Sequence, residues 1–138
     1  MTDGRLTPAE VNETLDHQGL LADATGAGVY ALRVQTPGSA EAVARAFFDA
    51  GVAEPPHEAL SRLTAEDVAY VGASMCVRDR LAEHARGDVR RATLLRAFDP
   101  VDVVGVWPDP EPFTTAERAR GRELRADGWT VWTDGRLL

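Results

Sequence analysis

Tyr30, Tyr70, Arg80, His84 and Glu117 are the residues whose types and spacing suit a reaction at phosphorus. Hydrolysis of a phosphodiester needs a group that takes a proton from water, positive charge where the pentavalent phosphate gathers negative charge, and help for the departing oxygen. Tyr30 and Tyr70 each fall in a strand-like stretch beside a glycine, in Gly28-Val29-Tyr30 and Tyr70-Val71-Gly72. Arg80 and His84 stand four positions apart, so a helix puts them on one face. Glu117 falls on a later helical stretch, where Glu123 is its competitor. The plain alternative makes both tyrosines half-buried strand residues and Arg80 a surface ion-pair partner of Asp79 or Glu83.

Several short elements must carry these side chains. Thr7-Pro8-Ala9-Glu10 predicts a helix start, with Thr7 as N-cap, Pro8 in the first turn and Glu10 closing a capping box, leading into Val11, Leu15 and Leu20. Gly28 to Val34 alternates as a half-buried strand does. Ser39 then caps a helix that turns Val43, Phe47 and Phe48 inward and stops at Gly51. Pro55-Pro56 opens a second short helix through Leu60 and Leu63. Val68 to Ala73 is the next strand, and Ser74 caps the Arg80 helix, which runs through Val77, Leu81 and Ala85 to Gly87. Asp88 caps a helix burying Val89, Leu94 and Leu95. Val101 to Trp107 is nearly all apolar and reads as a central strand or one covered on both faces. Pro108 to Pro112 reads as a stiff loop, a helix runs from Thr114 or Thr115 to about Ala126, and Trp129 to Trp132 is a final strand. This order of elements predicts an α/β chain of the α+β kind.

Composition narrows the class. A chain of 138 residues with 44% hydrophobic content can build one core without disulfides or metals. Cys76 is the only cysteine and the three histidines are scattered, which excludes a disulfide framework and a cysteine-rich zinc site. His17 and His57 lie in acidic surface segments, and Cys76 reads as a small packing residue. No apolar run approaches the roughly 20 residues that span a bilayer, and Met1 to Arg5 has no signal-peptide pattern. A cytoplasmic protein is expected. All 15 basic residues are arginine against 22 acids, a net charge of −7. Such a surface suits the high-salt cytoplasm of a halophile, and a GC-rich genome would also trade lysine for arginine. The acidic excess lies within residues 1 to 75, while the second half holds 11 arginines against 11 acids.

The two tyrosine motifs, with Arg80 ten residues after Tyr70 and His84 one helical turn later, resemble the GIY-YIG nuclease superfamily, in a standalone, halophilic-archaeal form. Valine replaces the usual isoleucine in both motifs. The resemblance implies a small three-stranded antiparallel sheet flanked by helices. The single domain would span residues 1 to 138, with an N-terminal helical extension over residues 1–25, a helical insertion over about 36–65 and room for an extra C-terminal strand. It further implies a metal-dependent DNA endonuclease in which a tyrosine takes a proton from water; tyrosine is a poor base at its ordinary pKa of about 10, so it would need help from the metal, Arg80 or a hydrogen-bonded neighbour, and Tyr70, nearer the arginine helix, is preferred. Tyr30, Tyr70, Arg80, His84 and Glu117 would be catalytic, and Glu117, followed seven residues on by the apolar Leu124, would hold Mg²⁺ or Mn²⁺. Arg78, Arg86, Arg90, Arg91, Arg118 and Arg120 are the candidates for nucleic-acid contact, since there is no lysine; Arg122 and Arg125 are further ones. Two departures stand out. The 39 residues between Tyr30 and Tyr70 exceed the family's usual spacing of about ten and must be looped out, which loop-closure entropy permits. The asparagine that often follows the glutamate helix has no counterpart. The alternatives are a non-catalytic module of the same fold that binds nucleic acid or protein, and a regulatory protein whose acidic insertion is its interface.

Overall fold

The computed structural model describes residues 4–88, 92–109, 113–133 and 135–138. Among these lie six helices and five strands: α1 (Pro8–His17), β1 (Gly28–Val34), α2 (Ala40–Asp49), α3 (His57–Arg62), β2 (Val68–Ser74), α4 (Val77–Arg86), α5 (Thr93–Ala97), β3 (Pro100–Pro108), α6 (Phe113–Ala126), β4 (Thr130–Thr133) and β5 (Arg136–Leu137). The expected capping box opens α1, with the Thr7 hydroxyl taking the Glu10 N–H and the Glu10 carboxylate taking the Thr7 N–H. Ser39 caps α2 as expected.

The strands form one mixed sheet in the order β3-β1-β2-β4-β5, so the expected three-stranded antiparallel sheet is incorrect. The first three neighbours are antiparallel. The difference comes from the chain after α6, which returns across the sheet and lays β4 parallel to β2; β5 then turns back onto β4. Strand β3, read as central or covered on both faces because it is so apolar, lies at the sheet's edge. Part of that edge is occupied by the N-terminal segment, where Leu6 N–H donates to Pro100 O at 2.8 Å and Gln18 Nε2 to Val103 O at 3.1 Å. The most buried strand is β1, with only Arg33 exposed.

Helices cover both faces. Leu15, Val43, Phe47, Leu60, Leu81 and Leu94, from five different helices, share one core with Tyr30, Leu32, Val34, Val68 and Trp132. On the opposite face Val29, Ala31, Ala69, Val71 and Val131 pack under Ala116 and Leu124 of α6. The residues between Tyr30 and Tyr70 thus supply main-core side chains. Phe47 meets Phe98 edge-on at 5.4 Å and lies 6.0 Å from Trp132. Phe48, expected inward, is 78% exposed, because successive residues on a helix point about 100° apart and Phe47 already takes the inward direction. Val89 and most of the expected stiff loop lie outside the described residues. No helix among the described residues is long and apolar enough to cross a membrane.

Candidate active site

The pairing of β1 with β2 sets Tyr30 opposite Gly72 and Leu32 opposite Tyr70. Strand period two therefore puts Tyr30, Tyr70 and Gly72 on one face. The two phenols fill the space that a side chain at position 72 would occupy: a Cβ there would lie 2.5 Å from Tyr30 Oη and 3.1 Å from Tyr70 Cε2. Glycine is thus the condition for the two rings to meet, with centroids 6.3 Å apart.

Helix α4 closes over this face, burying Val77, Leu81, His84 and Ala85. Its N-cap is Cys76 rather than the expected Ser74, which ends β2 and whose Oγ accepts the Cys76 N–H at 3.1 Å. The His84 ring lies 5.5 Å from each tyrosine ring, and its Nε2 is 2.6 Å from Tyr30 Oη. His84 Nδ1 is buried without a hydrogen-bond partner. A protonated Nδ1 would leave a buried N–H without an acceptor, so the favoured tautomer carries its proton on Nε2 and donates to Tyr30. The Tyr30 hydroxyl proton then points away from His84, and the Tyr70 ring is its aromatic neighbour on the same sheet face.

Arg80 stands one turn before His84. Its Nε is 3.1 Å from Glu83 Oε1, with both side chains about two-fifths exposed (40% and 41%). The surface ion pair therefore exists, and the Arg80 charge nonetheless reaches the ring cluster. Burial, followed by the neighbouring Tyr70 charge, holds the Tyr30 phenol well above its ordinary pKa, with Arg80 opposing and Glu117 adding to the rise. Tyr70 is pushed up to about 12 by burial and then by Glu117, again with Arg80 opposing. His84 is lowered to about 3, by burial first and the Arg80 charge second. At neutral pH the cluster holds a neutral imidazole and two protonated phenols. Tyr30 and His84 are 1% and 2% exposed, so an incoming molecule would meet Tyr70 and Arg80.

Glu117 is half-buried on α6, which packs on the opposite face, yet its charge acts on both phenols. The register explains how: the start of β1 and the ends of β2 and β3 share one end of the sheet, and α6 begins beyond the end of β3. Glu123, its competitor, is exposed and bonded to Arg120 at 3.0 Å. Among the described residues no group of three or more His, Cys, Asp or Glu side chains converges. Mg²⁺ commonly takes one or two carboxylates with water and a substrate phosphate, so the lack of a larger cluster does not bear on the Glu117 expectation.

The arginines expected to contact nucleic acid are more dispersed. Arg78 donates to Asn12 Oδ1 at 2.9 Å, Arg86 pairs with Asp88 at 2.9 Å, and Arg120 lies over the Trp107 ring, 5.3 Å from its centroid. Arg118 is half-buried on α6. Arg90 and Arg91 lie outside the described residues. A cavity of about 670 Å³ between the α3 region and the C-terminal hairpin, lined in part by Pro55, Pro56, Arg62 and Trp132, lies apart from Arg80 and His84. It touches the cluster through Trp132, the register partner of Tyr70. Of the two acids that the sequence offered Arg80 as partners, Asp79 and Glu83, the structure takes Glu83.

No protein-family model, curated protein or solved structure matches the chain.

Proposed function

We propose that the chain is a metal-dependent endonuclease of the GIY-YIG type, hydrolysing DNA phosphodiester bonds where Tyr70 and Arg80 reach the surface. One observation carries the reading: Tyr30 bonds His84 at 2.6 Å, and Arg80 and Glu117 both act on Tyr30 and on its neighbour Tyr70. Five residues far apart in sequence thus belong to one electrostatic unit, the kind of cluster that marks functional sites.

In this reading Tyr70 first releases its own proton to solvent, and the phenolate so formed, stabilised by the Arg80 charge, takes a proton from the attacking water and returns to the phenol. His84 Nε2–H donates to Tyr30 Oη and holds that ring in place. Arg80 exchanges Glu83 for the phosphate, which exposed ion pairs of about 0–1 kcal/mol allow, and offsets the charge of the transition state. Mg²⁺ or Mn²⁺ held by Glu117 would supply positive charge for the departing oxygen. The surface arginines bonded to neighbouring acids leave only a weak phosphate track, so DNA affinity is modest and salt-sensitive.

A second reading, a non-catalytic module that binds nucleic acid or protein, is favoured by the direction of the phenol shifts. A phenol held near 12 is poorly prepared to act as a base. The two readings separate when purified protein is mixed with branched, single-stranded and duplex DNA in molar salt with Mg²⁺ or Mn²⁺. Cleavage lost in Arg80→Ala and Glu117→Ala variants that remain folded supports the enzyme. No cleavage of any substrate, with binding that survives both substitutions, supports the module.

A further inference from the structure

The last turn of α4, which carries His84, is closed from outside the helix. Helix ends leave their final carbonyls without partners. Gly87, in the left-handed conformation at φ 79, returns its own N–H to His84 O at 3.1 Å, and Asp88 N–H donates to Glu83 O at 3.0 Å. Arg5 adds two donors from 79 positions away: Nη2 donates to His84 O at 3.0 Å and Nε to Ala85 O at 2.9 Å, while Nη1 donates to Asp99 Oδ1 at 3.0 Å. The fit is close enough that a Cβ at Gly87 would lie 2.9 Å from Nη2. Beside this fork is a cavity of about 220 Å³ bounded by Arg5, Ala50, His84, Gly87, Leu95 and Arg96. That is space for several waters, and the buried His84 Nδ1 is shut off from it while the last turn of α4 holds its place.

We infer that Arg5 is a positioning residue for His84: its guanidinium fork holds the His84 and Ala85 carbonyls at the last turn of α4, fixing the Tyr30–His84 contact and keeping solvent off the imidazole. The planar fork serves three acceptors at once, and its charge suits a helix C-terminus. Lysine would keep the charge and lose the fork. The groups facing His84 are Tyr30 on β1, Tyr70 on β2, Arg80 on its own helix, Arg5, and Arg96 of α5 across the cavity, with Asp99 balancing Arg5. The effect on catalysis rests on the nuclease reading; the effect on His84 does not.

The test is NMR titration of the His84 ring in the full chain, assigned by its loss in His84→Gln. In the unsubstituted protein the ring stays neutral until acid unfolding begins. In Arg5→Ala and Arg5→Lys it is expected to titrate near the ordinary imidazole value of about 6.5. Asp99→Asn removes the ion pair, leaves the fork on the two carbonyls and should titrate as the unsubstituted protein does. If Arg5→Ala does not fold, Arg5→Lys and Asp99→Asn decide. A folded Arg5→Lys with an unchanged His84 titration, or an equal shift in Asp99→Asn, overturns the assignment. Where DNA is cut, Arg5→Lys should lower kcat about 10- to 100-fold with KM unchanged. Where the unsubstituted protein cuts nothing, the nuclease reading fails and the titration still decides the role of Arg5.

Discussion

Tyr30 Oη lies 2.6 Å from His84 Nε2, although the two residues are 54 positions apart and on different layers of the fold. Strand β1 brings one and helix α4 the other, with Gly72 leaving the room between them. A buried polar pair of this kind is stable only while its geometry is held, since either group alone would lack a partner.

Gly72→Ala tests that room. The new methyl would overlap the Tyr30 hydroxyl, so the Tyr30 ring must shift and its bond to His84 lengthen. A loss of about 1–3 kcal/mol in urea unfolding is expected, together with loss of any cleavage. Gly26→Ala is the control: nothing lies within 4 Å of its Cβ, and an effect within about 0.5 kcal/mol is expected. Equal effects at both positions would count against a packed site at Gly72.

The chain has only two tyrosines, which makes their titration readable by absorbance near 295 nm. Both folded-state pKa values are raised, Tyr70 to about 12. The stability tied to their protonated forms is therefore fully present below pH 10 and is lost as pH rises through 12. The folded protein should show no phenolate step at pH 10, whereas the chain in concentrated guanidinium should show both. A native phenolate step near pH 10 would mean that at least one ring is solvated.

Acid acts through His84. Its folded pKa of about 3 lies below the unfolded value of 6.5, so the unfolded chain binds the extra proton and stability falls as pH drops from 6.5 toward 3. At about 1.4 kcal/mol per pH unit the full loss is roughly 4–5 kcal/mol. Urea midpoints measured from pH 7 to pH 4 should fall in the unsubstituted protein and lose most of that slope in His84→Gln. Parallel slopes in the two proteins would remove His84 as the cause.

If Tyr70 is the base, cleavage should rise with pH. A phenol near 12 is ionised in only about one molecule in 10⁴ at pH 8, and that fraction grows tenfold for each pH unit. A log-linear rise in kcat/KM from pH 7 to 9 is expected in a metal-saturated assay. Glu83→Gln should lower KM for DNA at low salt by releasing Arg80, while Arg80→Ala should lower kcat by about 10²–10³-fold. A flat profile with unchanged KM in Glu83→Gln would assign the proton transfer and the phosphate contact elsewhere.

Local signals in the sequence were sound where a residue's own neighbours decide the outcome. Thr7 with Glu10, and Ser39 before α2, act through short side chains on backbone a few residues away. The period of two likewise foretells which residues of β1 and β2 share a face. What the sequence withheld was partnership across the fold. The apolarity of β3 suggested a central strand, yet the N-terminal segment shields part of it at the edge. Trp129 to Trp132 read as a strand, but its parallel place beside β2 follows from how α6 packs, which no local pattern encodes. Ser74 looked like a cap because its type favours one, and pairing with Gly28 kept it in the strand. Arg5, in an unremarkable polar stretch, offered no sign of its place at the end of α4.

The parallel place of β4 also bears on how the molecule comes into being. Tyr70 sits on β2 between β1 on one side and β4 on the other, and a parallel neighbour can be reached only through a crossover, here α6. Until residues 130–133 dock, β2 is an open border whose main-chain groups would accept a strand from any other molecule. Any chain cut short of Thr130 would therefore leave the side of the Tyr70 strand that faces away from β1 without its hydrogen-bonding neighbour.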